Sequence, residues 1–191
     1  MAFVAEITGG SADFGLFRGE CGDLTPVFVA DQIAPGGATF EDFGTPAINR
    51  HGQVAIVGLL TNSAIRRGLF VGDGTDAVAI ALEGQPAPKG CSYASQRALG
   101  AFAGPITLND RGEVAFEAGL TGGPNSSGIF RCNGDRTTTI ALAGTIAPGT
   151  TGMFGSLGDH KLLNQEPGTR NSRTSPRSRY AMTSTHTVFS R

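Results

Sequence analysis

Three landmarks recur in one order along this chain, and such a repeat limits the possible folds more than any single residue does. The triplet Gly15-Leu16-Phe17 returns as Gly68-Leu69-Phe70 and as Gly128-Ile129-Phe130, 53 and then 60 residues further on. The pair Ala34-Pro35 returns at Ala87-Pro88 and Ala147-Pro148 with the same two spacings. The third landmark, Asn49-Arg50-His51-Gly52-Gln53-Val54-Ala55-Ile56, is repeated as Asn109-Asp110-Arg111-Gly112-Glu113-Val114-Ala115-Phe116. An insertion around Lys89 to Ala98, which also carries Cys91, accounts for the longer second period.

Each landmark has a physical reading. Asn followed three residues later by Gly is turn chemistry, because the Asn side chain bonds backbone amides ahead of it and Gly accepts a positive φ. The stretches after it, VAIVGLLTN and VAFEAGLTG, are rich in strand formers, and the continuous apolar character of the first predicts burial on both faces. The GLF or GIF strand, a polar turn (Gly72 to Gly74, Cys132 to Asp135) and the strand AVAIALEG or TTTIALAG then read as a hairpin. A fourth short strand is expected after the Ala-Pro turn, near Phe40 to Ile48, Ala101 to Leu108 and Met153 to Leu163.

The predicted fold is all-β: tandem antiparallel β-meander repeats, each like a propeller blade, with a stacked-sheet β-solenoid or a sandwich as the alternative. Approximate copies cover 1–53, 54–113 and 114–164. Composition agrees, since 29 Gly and 10 Pro among 191 residues, with 16% charged, suit many short strands and tight turns rather than long amphipathic helices. No apolar run approaches the length of a helical membrane span. Residues 165–191 differ, with five Arg, five Ser and five Thr and a single acid, Glu166. This tail reads as disordered or as the product of a shifted reading frame.

Formal net charge is -1, and without a basic stripe before the tail nothing suggests nucleic acid as a partner. Cys21, Cys91 and Cys132 are too few for a disulfide scaffold and lack the paired spacing of a zinc site. The opening Met1 and AFVAEITGG have neither the basic nor the long apolar region of a secretion signal, and Ala2-Phe3 reads as the end of a further copy.

On these residues the sequence resembles the bacterial tandem-repeat family named for the motif NxxGxxAF, whose members carry varied surface-sorting anchors. Asn109, Gly112, Ala115 and Phe116 match the motif in full, and Asn49, Gly52 and Ala55 match with Ile56 in place of Phe. The resemblance covers residues 1 to about 164 and implies a secreted or surface-displayed protein with no catalytic residues to carry over.

Chemistry-bearing constellations are sparse. His51, His160 and His186 are isolated from one another, Asp73 to Asp76 and Asn133 to Asp135 read as hairpin turns rather than calcium loops, and no GxSxG occurs. Glu41-Asp42, Glu113 and Glu117 read as strand-edge or turn residues, although paired carboxylates for glycoside hydrolysis are not visible from sequence alone. Asn125-Ser126-Ser127 forms a glycosylation sequon in a Gly-rich loop. No catalytic, cofactor or metal residue is assigned, and Asn49, Gly52, Ala55, Ile56, Asn109, Gly112, Ala115 and Phe116 are the structural motif.

The function expected is therefore a surface-exposed structural or binding module for carbohydrate or protein, and the competing class is a fragment of a propeller enzyme acting on carbohydrate. Acidic side chains from different repeats converging in one pocket would mark the enzyme. Self-association is also expected, with Ala2 to Thr8 of one chain meeting Met153 to Asn164 of another, because exposed strand edges and sheet faces attract partners.

Overall fold

The structure, a computed structural model, describes residues 1–20, 22–95, 101–102 and 104–157. It is all-β, and its strands form antiparallel meanders. Strands β1 (Ala2–Glu6), β2 (Phe14–Glu20) and β3 (Asp23–Val29) make the first sheet. The second contains β4 (Thr39–Phe43), β5 (Ala47–Ile48), β6 (Val54–Thr61), β7 (Arg67–Gly72) and β8 (Ala77–Leu82). The third contains β9 (Pro86–Ala87), β10 (Cys91–Tyr93), β11 (Ile106–Leu108), β12 (Val114–Thr121), β13 (Ser127–Cys132) and β14 (Thr137–Leu142). Among the described residues no helix is long and apolar enough to cross a membrane.

The expected fourth strand exists but belongs elsewhere than the sequence copies suggest. Strands β4 and β5, which follow the first Ala-Pro turn, pair with β6 of the following copy, not with the strands before them. Likewise β11 pairs with β12. Each sheet after the first is thus out of phase with its sequence copy: the second opens after the first Ala-Pro turn, and the third opens with β9, whose Ala87 begins the second Ala-Pro pair. Along the chain, neighbouring sheets are then joined by residues 30–38, which hold the first Ala-Pro turn, and by residues 83–85, just before the second. In the last copy an isolated bridge joins Ile146 and Met153, and residues from 158 onward, including the rest of the expected fourth strand and the tail, lie outside the described residues.

The three sheets stack face to face and enclose two cores. Alternation along β6 decides which side chain serves which core: Val54, Ile56 and Leu60 join Leu16, Phe28 and Phe40 in the first, and Ala55 joins Leu69, Val114 and Phe116 in the second. The middle sheet is therefore buried on both faces, as the apolar run of β6 predicts. Aromatic rings fill both cores, with Phe40 and Phe70 edge to face at 4.9 Å in one and Tyr93 and Phe130 edge to face at 5.7 Å in the other. The described strands form an open stack of sheets, with no closed barrel.

The GLF landmark has a steric cause. In each copy the Phe ring folds back over the Gly two residues earlier, so that a Cβ on Gly68 would lie 2.6 Å from the Phe70 ring and 2.5 Å from Leu82. The pairing register then shifts directly before that Phe in all three copies, leaving Val27, Ile80 and Ile140 as the extra residue of a β-bulge.

Candidate functional site

The motif residues build one structure, a stack of turns along the edge where β5 and β11 lie. Each Asn closes the hairpin into the long strand that follows. The Gly52 amide donates to the Asn49 carbonyl at 3.1 Å, and Gly112 to Asn109 at 3.0 Å, with the two Gly at φ of 79° and 75°. That left-handed conformation suits Gly. Asn49 Oδ1 accepts from the amides of His51 (3.1 Å) and Gln53 (3.0 Å), and Asn109 Oδ1 does the same for Arg111 and Glu113, both at 3.0 Å. Both Asn side chains are buried, where such amides would be costly if left unbonded.

The Nδ2 groups look outward from each turn. Asn49 Nδ2 donates to Gln53 Oε1 at 2.8 Å, and Asn109 Nδ2 to Glu113 Oε2 at 2.7 Å. Asn49 Nδ2 also donates to the Asn109 carbonyl at 3.0 Å, so one turn is bonded directly to the next. A second link runs beside it: the Arg50 amide donates to Asp110 Oδ1 at 3.0 Å, and the Arg50 guanidinium pairs with Asp110 Oδ2 at 3.3 Å. Stacked sheets normally lie about 10 Å apart. Direct bonds between turns mean that these two sheets draw together on this side.

The remaining motif residues belong to the strands. Ala55 and Ile56 point to opposite cores, Phe116 packs in the second core against Phe130 at 5.6 Å, and Ala115 is buried on the outer side of the third sheet. Sequence reasoning missed Gln53 and Glu113 as partners of the Asn amides, though their recurrence four residues after each Asn was the available signal. It also missed Arg18, whose Nε crosses from the first sheet to the Asp73 carbonyl at 2.9 Å and whose guanidinium crowds Gly52.

Other candidates resolve into local structure. Asp73 Oδ1 accepts from the amides of Thr75 (2.9 Å) and Asp76 (3.0 Å), and Asn133 Oδ1 from Arg136 at 3.0 Å, which makes both segments hairpin turns. The bonds from the Asp76 and Thr75 amides hold the Asp73 carboxyl below the usual carboxylate range, with a smaller contribution from Arg18. Asp42 Oδ1 accepts from the Phe43 amide at 2.7 Å, and Glu113 lies 3.8 Å from Arg131. Asn125 Nδ2 donates to the Ala143 carbonyl at 2.7 Å, so the sequon amide has a structural partner. His51 is exposed on the first turn, whereas His160 and His186 lie outside the described residues. Cys91 and Cys132 are free thiols in the second core, and Cys21 lies outside the described residues.

Burial pushes the Tyr93 phenol up to about 12, although a hydrogen bond with Thr137 acts the other way. Two of the surface clefts are lined by described residues. One, of about 570 Å³, lies between the second and third sheets, walled by Val57, Leu59, Phe102 and Ile106, and Arg67 is the charged group among its described lining residues. The other, about 220 Å³, contains Asp73 and Asp76 of one hairpin. Neither gathers carboxylates from different repeats among its described lining residues.

The sequence profile of the family described as "Family of unknown function (DUF7453)" matches residues 1–73 and again 62–169, which together span most of the chain. The chain belongs to this family. Within this DUF7453 chain, each match spans at least one full set of the GLF and Ala-Pro landmarks, in keeping with a recurring unit. No curated protein and no solved structure matches the chain.

Proposed function

We propose that the chain is a structural and binding module without catalytic activity, built of blade-like repeats and displayed outside the cell. The observation that carries this reading is the use made of the motif: both Asn side chains hold their own turn, and that of Asn49 also joins one repeat to the next. Residues recurring for such a purpose support an array whose task is to present a surface. The drawing together of sheets at the turns supports blades that are wedge-shaped, as in a propeller, although three blades alone fall short of the four to eight that close a ring. The resemblance to the NxxGxxAF repeat family supports secretion or surface display.

The cleft beside Arg67 supports the binding half of the reading, with carbohydrate or protein as the ligand class. The test has two arms. Purified chain is applied to glycan and protein arrays, and it is incubated with chromogenic glycosides. Specific retention that is weakened by Arg67→Ala, without glycoside turnover, is the expected result. Turnover would replace this reading with that of an enzyme fragment. Fractionation of cells producing the full-length native gene product checks display, and recovery only from the cytosol would overturn it.

A further inference from the structure

The two outer sheets carry the two halves of the interface that joins the repeats internally. The two junctions resemble each other: Leu16, Val27 and Phe28 of the first sheet meet Ile56 and Phe70 at the first, and Ala55, Leu69 and Ala81 of the middle sheet meet Phe116 and Phe130 at the second.

Among the described residues, Ala115, the counterpart of Ala55, is buried, but several other equivalent positions at the two ends are partly or fully exposed. Phe70, Phe116 and Phe130 are at most 1% exposed, whereas Phe3 and Phe17, their counterparts in the first sheet, are only half-buried, although their rings stack at 5.9 Å much as Phe116 and Phe130 do. At the other end the bulge residue tells the same story. Val27 is 8% exposed and Ile80 half-buried, but Ile140 is 61% exposed. Ile129 is half-buried where Leu16 and Leu69 are fully buried.

Charge supplies an independent match. Arg131 stands where Arg18 stands in the first repeat, and Arg18 reaches across its junction to the hairpin turn that begins at Asp73. The corresponding turn of the first repeat has exposed Glu20 and Asp23, which would receive the exposed Arg131.

We propose that the occupant of these faces is a second copy of this chain, stacked head to tail, with Ile129, Arg131 and Ile140 of one molecule against Phe3, Phe17 and Glu20 of the next. The contact continues the internal junction from one molecule to another. Such a contact is heterologous, so it extends in one dimension unless the rotation per repeat brings it back on itself. This inference rests on the structural-module reading above and specifies its partner.

Sedimentation velocity of the full chain across micromolar concentrations tests it, with Arg131→Glu and Glu20→Lys as variants whose melting is checked first. Wild type is expected to associate with rising concentration, and each variant alone to associate about ten-fold or more weakly. An equal mixture of the two variants restores association, because each junction then pairs opposite charges. A wild type that stays monomeric, variants that associate like wild type, or folded variants whose mixture fails to recover each overturn the proposal. Those failures leave array binding by the monomer, the measure of the proposed function, unaffected.

Discussion

Asn49 Nδ2 donates to the main-chain carbonyl of Asn109 at 3.0 Å, joining turns that stand 60 residues apart in sequence. Local turn chemistry and long-range packing thus meet in one buried side chain. Asn49→Ala removes the Oδ1 acceptor of the His51 and Gln53 amides and both Nδ2 donations together, and a cost of about 2–4 kcal/mol is expected from urea unfolding. Asn49→Asp keeps the acceptors and loses the donations, so it should fall between wild type and Ala. Equal losses for both variants would show that the Nδ2 donations, to Gln53 and to the second turn, dominate.

Gly68→Ala should destabilise the chain by about 1–3 kcal/mol, because the new methyl would meet the Phe70 ring and Leu82. Trimming the ring in the double variant Gly68→Ala with Phe70→Leu should make the two effects less than additive. Gly155, which has open space around its Cβ position and no left-handed backbone, is the control, and its Ala variant should melt as wild type does.

At Gly112 the main obstacle is the backbone, with a Cβ also coming within 3.3 Å of Gln53 Oε1. With φ at 75°, a β-branched residue is strained, and Gly112→Val is expected to cost about 1–3 kcal/mol. Gly112→Asn should cost clearly less, since Asn tolerates the left-handed region. Thermal melts of the pair decide the matter, and an unchanged melting temperature for the Val variant would count against this account.

Alkaline pH should weaken the fold through Tyr93. Its folded-state value of about 12 lies above the ordinary 10, so the neutral phenol is the form that the core accepts. The stabilisation is complete below pH 10 and falls as pH rises from 10 through 12, by up to about 3 kcal/mol. Denaturant midpoints measured across that range should decline, and Tyr93→Phe should flatten the decline.

Much of this fold is legible in the sequence because its determinants are local. Gly52 and Gly112 announce their turns through spacing alone, and the unbroken apolar run Val54 to Leu60 announces a strand covered on both sides. What stays hidden is pairing at a distance. Nothing in Thr39 to Phe43 says whether that strand joins the sheet before it or the one after, since a short strand with Phe40 and Phe43 buried serves equally well in either. The outward reach of Asn49 and the crossing of Arg18 are of the same kind. Their partners, Asn109 and Asp73, are 60 and 55 residues away and are fixed only when the sheets stack.

Because β6 and β7 contribute side chains to both cores, they stand in the middle of a one-dimensional chain of cooperative units. Opening the first sheet exposes one face of this middle layer and opening the third exposes the other, so neither event alone frees its backbone. Amide exchange should then fall into tiers, with the amides of Val54 to Leu60 released only when both neighbours have parted. In an array of this build, protection belongs to the interior position rather than to any one repeat's composition. A repeat moved from the end to the middle would gain rigidity with no change in its own residues.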